Sequence, residues 1–189
     1  VAAISFAQQT VITAIVDATC SGGTPKLIEI YANGTVDFTQ FTLEKSANGG
    51  AFGAGFDLSG FGTRTDAFIY VYAGTETTLN AEFPNIAATD YLSSNTANNN
   101  GDDAIRLIET TSMNVVDTYG TMIDGSGETW EYMDSHANRV NGTGPDATFN
   151  QANWTTAAPN TLDNQCGTST FEVIVGAGSY TTTMITSPI

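Results

Sequence analysis

Positive charge is the scarcest thing in this chain. Five Lys and Arg stand against 20 Asp and Glu in 189 residues, a formal net charge of -15. The five are Lys26, Lys45, Arg64, Arg106 and Arg139, and they are scattered along the sequence. A nucleic-acid binder needs grouped cations to release phosphate counterions, so no nucleic acid is expected as a partner of this domain, and anionic membranes should repel it. Charged residues of both signs make up only 13% of the chain, about half the usual share. Thr, Asn, Ser and Gly take their place. That surface is common in secreted β-proteins, because Thr suits strands while Asn and Gly suit turns.

Histidine is almost absent as well. His136 is alone, and a zinc site needs more His or Cys. A Ser-His-Asp triad needs a nucleophile, and the chain has no Gly-x-Ser-x-Gly elbow. His136, within Asp134–Asn138, is therefore read as a surface-loop residue. Long apolar runs are missing too: nothing within the chain approaches the ~20 residues of a membrane span. The opening stretch from Val1 to Gln9 (VAAISFAQQ) reads as the end of a secretory signal peptide cleaved after Ala7. A first strand beginning at Val1 is the alternative. Residues 169–189 read as a linker or the start of a truncated following domain.

Only two cysteines are present, Cys20 and Cys166. In a secreted chain they most simply form one disulfide. The loop would enclose most of the chain, worth about 5 kcal/mol of chain entropy. A nucleophilic Cys20 would want a nearby base, and His136 is the sole histidine.

Short strands separated by turns fill the rest. Thr10–Val16, Lys26–Tyr31, Phe38–Glu44, Phe52–Leu58, Ala67–Tyr72, Ala104–Glu109, Asn114–Tyr119, Trp130–Met133, Asn138–Val140 and Trp154–Thr155 carry strand signals. Asn33-Gly34 and Asn48-Gly49-Gly50 read as turns. Ala67–Tyr72 is the most apolar run and is expected to be central. Ala104–Glu109 and Asn114–Tyr119 should form a hairpin. Phe171–Val175 is a further strand after the domain has closed. Single helical turns are expected near Leu79–Phe83 and Thr148–Ala152. Strands at this spacing predict an all-β sandwich or barrel. Within Lys26–Tyr31, Leu27, Glu29 and Tyr31 share one face and Ile28 and Ile30 the other. Glu29 then lies on the more polar face, or pairs with Arg106 or Arg139.

The order of Lys26–Tyr31 (KLIEIY), Gly101–Ile105 (GDDAI) and Val115–Gly120 (VVDTYG), followed by Trp130, Arg139 and Trp154, resembles the lamin-tail domain. It is most similar to the bacterial type found in secreted proteins of Bacteroidota. The resemblance covers roughly residues 10 to 166 and implies an immunoglobulin-like β-sandwich over residues 8–168. It implies no catalytic residue. The family's bacterial members are accessory modules on secreted or cell-surface proteins. The expectation is thus a non-catalytic module that positions a neighbouring domain or binds a protein or glycan. One alternative is the N-terminal part of a secreted nuclease or phosphoesterase whose catalytic domain lies beyond Ile189. Another is a Ca²⁺-dependent adhesin or sugar-binding domain. The sequons at Asn33, Asn141 and Asn153 are expected to be unmodified in a bacterial protein.

Two loops carry the candidate sites. Asn100, Asp102 and Asp103 offer the hard oxygens that Ca²⁺ takes, though not at EF-hand spacing. The alternative is an Asx-type turn in which the carboxylates accept backbone N–H groups. Asp124, Glu128, Trp130 and Tyr132 form the ligand-loop candidate: aromatics beside polar groups can stack on a sugar ring. The alternative places Trp130 in the core under Arg139 or Lys26, with Trp154 also in the core.

Overall fold

Alternating apolar side chains sort the chain's strands into two stacked sheets. The computed structural model describes residues 9–182. The strands are β1 (Gln9–Val16), β2 (Lys26–Asp37), β3 (Phe41–Ser46), β4 (Phe56–Asp57), β5 (Thr63–Ala73), β6 (Tyr91–Ser93), β7 (Ala104–Glu109), β8 (Asn114–Tyr119), β9 (His136–Arg139) and β10 (Trp154–Thr156). Two short helices, α1 (Glu76–Glu82) and α2 (Phe171–Val175), complete the described residues' regular elements with four 3₁₀ turns. The larger sheet runs β10-β9-β1-β2-β5-β6 and the smaller β4-β3-β7-β8. Neighbours are antiparallel except β5 and β6. The chain is thus an all-β sandwich.

Ile12, Ile15, Ile28, Ile30, Ile69 and Val71 of the larger sheet meet Leu43, Ile105, Leu107 and Tyr119 of the smaller one in the main core. The larger sheet is apolar on its other face too. Val16, Leu27, Tyr70 and Tyr72 pack there under Leu79 and Phe83 from α1 and its end, Leu162, and Phe171 and Val175 of α2. A bulge in β1 makes this double use possible. Ile12 pairs with Ile30 and Ala14 with Glu29, leaving Thr13 as the extra residue. Ile12 and Ile15 then face the main core, while Ala14 and Val16 face outward.

Several local expectations change in this context. Asn33-Gly34 is not a hairpin turn. β2 runs through it with a register shift between Ala32 and Thr35, and the Gly34 N–H, at φ +70°, donates to Asp66 Oδ1 at 2.8 Å. β5 is one strand in from the edge rather than central, covered by the unforeseen short strand β6. Phe38–Gln40 is a 3₁₀ turn, and Phe52–Leu58 reduces to Phe56–Asp57. Trp130–Met133 forms no strand. The β7–β8 hairpin forms as expected.

Phe171–Val175 is the largest reversal: a β-branched segment becomes a helix. Phe171 and Val175, four apart, lie on one face and are buried, whereas Val173 between them is 77% exposed. The Phe171 ring meets Phe83 at 6.4 Å, and Gly176 in the left-handed region stops the helix. Burying one such side chain is worth about 1.5–3 kcal/mol, enough to override a strand preference of ~1 kcal/mol. Instead of leaving the sandwich at Thr168, residues 169–182 continue across its outer face. Tyr180 is buried there, and Thr181 N–H donates to Asn141 Oδ1 at 2.9 Å. The expected signal-peptide end, residues 1–7, lies outside the described residues, as does the remainder of the tail from residue 183.

Candidate functional site

Asp103 closes the loop that carried the metal expectation, and the fold has already engaged it. Its Oδ1 accepts the Asn48 N–H at 3.0 Å, and Lys45 Nζ lies 3.4 Å from Oδ2. The Asn100 amide donates to Asn48 Oδ1 at 3.5 Å. Asp102 Oδ2 accepts the Ser126 hydroxyl at 2.9 Å, and its carbonyl accepts the Gly125 N–H at 3.2 Å. Asp102 Oδ1 is buried without a donor. Burial raises the Asp102 pKa, with Asp103 and Asp124 adding to the rise. Asp103 thus accepts a backbone N–H as the turn alternative had it, but from Asn48, 55 residues away, so it is a tertiary tie and not an Asx-type turn, while Asp102 keeps one unused oxygen.

Gly101 makes the loop's crossing possible. Its φ is +86°, and a Cβ there would lie 2.2 Å from Met133 Cα and 2.3 Å from Met133 N. The segments touch through the Tyr132 N–H, which donates to the Gly101 carbonyl at 2.8 Å. Gly101→Ala should lower the unfolding free energy by about 2–4 kcal/mol, from left-handed strain and backbone overlap together. Denaturant titration reads that loss directly.

The ligand-loop expectation fails for its aromatics. Trp130 is 4% exposed and Tyr132 is fully buried. Both rings pack edge-on against Tyr119, at 5.9 and 5.4 Å, and the Tyr119 hydroxyl donates to the Trp130 carbonyl. Neither can stack on a sugar. Trp130 belongs to the core, as the alternative had it, but not beneath Arg139 or Lys26. Arg139 lies 4.5 Å over Trp154, which is itself core, and Lys26 pairs with Asp17. Of the four, only Asp124 and Glu128 are exposed. Asp124 is held below the usual carboxylate range by the Ser126 N–H and hydroxyl.

The polar centre of the molecule lies elsewhere. Arg139 Nη2 grips both oxygens of Asp117, at 2.6 and 2.7 Å, with both side chains fully buried. Asp117 also accepts N–H groups of Ile12 (2.7 Å), Asp146 (2.8 Å) and Thr118 (3.0 Å). Arg139 donates to the Ile12 carbonyl (2.7 Å) and the Gly144 carbonyl (2.8 Å). The network ties β1, β8, β9 and the loop after β9 to one point. Burial pushes the Asp117 pKa up to about 6 against the opposing pull of Arg139. A carboxylate inside an alternating strand, Asp117 in VVDTYG, was the only sequence signal for it.

Glu29 pairs with neither expected cation: Arg106 meets Glu44 at 2.6 Å and Arg139 meets Asp117. Its oxygens take the Thr13 hydroxyl and the Gly178 N–H, each at 2.6 Å. The face is not polar but covered by the α2 segment. Burial raises its pKa above 4.5, the hydrogen bonds opposing. A folded pKa above the unfolded one stabilises fully below pH 4.5, and that contribution is lost as pH rises through the folded value. Glu29→Gln should therefore flatten the stability profile, gaining on the native chain as pH rises above that window. A profile of unchanged slope would contradict this assignment. Glu29 forms the floor of a cleft of about 410 Å³, with Thr13, Asn138, Asn141, Thr155 and Tyr180 around it.

His136 is not in a loop. It begins β9, opposite Val16, with Nδ1 2.6 Å from Asn138 Oδ1, and burial lowers its pKa. Cys20 and Cys166 form the disulfide, with Cα atoms 5.6 Å apart. All five cations have an intramolecular carboxylate partner: Asp17, Asp103, Asp90, Glu44 and Asp117, in chain order of the cations. No helix among the described residues is long and apolar enough to cross a membrane. No protein-family model matches the chain, nor does any curated protein or solved structure.

Proposed function

We propose that this chain is a lamin-tail-type sandwich serving as a non-catalytic module of a secreted or cell-surface bacterial protein, where it positions a neighbouring domain or binds a protein or glycan partner. One observation carries the reading. Each Lys and Arg is paired inside the fold, and the charge left over for partners is anionic. Such a surface offers no cation without a carboxylate already beside it to hold a phosphate. Neutral hydroxyls and amides and exposed carboxylates remain for contact, which suits a polar protein or glycan surface. The purified chain is expected to give no turnover with phosphodiester, ester or glycoside substrates. Turnover that survives repurification would overturn the reading.

A second reading, Ca²⁺-dependent adhesion, draws on the unused Oδ1 of Asp102. One of its three expected ligands, Asp103, already has both oxygens engaged by the protein, so the first reading stands ahead. The first predicts the same melting temperature in chelator and in millimolar Ca²⁺. A rise with Ca²⁺, reversed by chelator and absent in Asp102→Asn, would favour the second, because a ligand of the native state must stabilise it.

A further inference from the structure

Glu82 is a buried carboxylate without a cation. It ends α1 and is 6% exposed. Its Oε1 takes the Gly167 N–H and its Oε2 the Phe171 N–H, both at a long 3.3 Å. Oε1 also lies 3.7 Å from Cys20 Sγ. One oxygen of Glu82 and the two sulfurs of Cys20 and Cys166 all lie within 4.8 Å of one another. We propose that, when the disulfide is open, Cys20, Cys166 and Glu82 form a zinc-class metal site, so that disulfide and metal are alternative fillings of one place. This goes beyond the module reading and does not depend on it.

The geometry carries the assignment. With Zn–S near 2.3 Å and Zn–O near 2.0 Å, a tetrahedral ion holds sulfur and oxygen ligands about 3.5 Å apart. Cys20 and Glu82 are at that spacing already. Two thiolates on one ion stand about 3.8 Å apart, which side-chain rotation reaches from Cα atoms 5.6 Å apart. Two thiolates and a carboxylate leave the fourth position to water. The ligand set is soft enough to prefer zinc or cadmium to calcium. The site also joins three elements: the loop after β1, the end of α1 and the segment before α2.

The chemistry balances with a thiol-class reductant. The reductant supplies two electrons, the S–S bond breaks and two thiols form, while the reductant becomes its own disulfide. Binding the dication then displaces the two thiol protons to solvent. A disulfide-class oxidant reverses the sequence: it accepts two electrons, the S–S bond re-forms and the ion leaves.

Co²⁺ is the probe, added to the full chain after reduction with a phosphine, beside an oxidised control. Expected are one Co²⁺ per reduced chain, a thiolate-to-cobalt charge-transfer band and the intense visible bands of four-coordinate cobalt. The oxidised chain should show none. Zn²⁺ should bleach the bands by displacement. Glu82→Gln, which keeps a hydrogen-bond acceptor, should weaken binding by at least about tenfold, the lower limit for groups that support a metal from outside the ligand set. The proposal is overturned if the reduced chain gives no charge-transfer band. It is equally overturned if Glu82→Gln binds Co²⁺ as tightly as the native sequence, which would reduce the site to a plain dithiol. Should reduction unfold the chain, Zn²⁺ must restore its circular dichroism, and failure to do so also overturns it.

Discussion

Arg139→Met is expected to lower the unfolding free energy by about 3–5 kcal/mol, because it leaves a buried carboxylate without its countercharge. Asp117 would keep its three backbone donors but lose the bidentate guanidinium. The Ile12 and Gly144 carbonyls would lose their donor as well. The size of the loss should depend on pH, with a definite sign. Arg139 is the main force lowering an Asp117 pKa that burial has raised to about 6. Without it the folded pKa rises further above the unfolded value of 3.8. A group raised in this way stabilises at pH below its unfolded value and loses that contribution as pH rises through the folded one. The variant's deficit should therefore be smaller in mild acid, where Asp117 takes up a proton, than at neutral pH. Urea unfolding at several pH values reads both effects. A loss below about 1 kcal/mol, the range of an exposed pair, would mean that the pair is solvated.

Opening the disulfide ranks with it. Cys20 and Cys166 are 146 residues apart, and the chain-entropy estimate for so long a loop is about 5 kcal/mol. Cys20→Ser with Cys166→Ser should therefore move the unfolding midpoint as far as any single core substitution. The bond joins the start of the larger sheet's outer layer to the segment leading into α2. Tyr70, Tyr72, Leu79, Phe83 and Phe171 share that layer. Protection against hydrogen exchange should thus fall first in α2 and α1, and only later in β1, β2 and β5. Uniform loss across both sheets would show that the outer layer is not a separable unit. A stability unchanged to within about 0.5 kcal/mol would contradict the loop-entropy account altogether.

The sandwich was legible where strand signals repeat in a buried face. Ile28 and Ile30 face one way and Leu27 and Tyr31 the other, and the β7–β8 hairpin follows its two apolar runs. The candidate sites were legible as loops but not as partners. Asp102 and Asp103 look alike in sequence, yet one keeps a free oxygen and the other meets Asn48 and Lys45. Trp130 and Tyr132 carried an aromatic signal, and nothing local distinguishes a stacking ring from a core ring.

Composition and alternation were enough for the class of fold, the poverty in cations and the two-cysteine tie, since these follow from counts and from a two-residue period. Long-range placement decided the rest. Phe171–Val175 is a helix because Phe83 and Leu79 offer a surface that accepts positions four apart. Glu29 is buried because the returning chain brings Gly178 over it from 149 residues away. Arg139 finds Asp117, and Glu82 finds the cysteines, by the same route. A local window cannot carry such information. Burial and partner choice depend on which segments the sheet order brings together, and that order is a property of the whole chain.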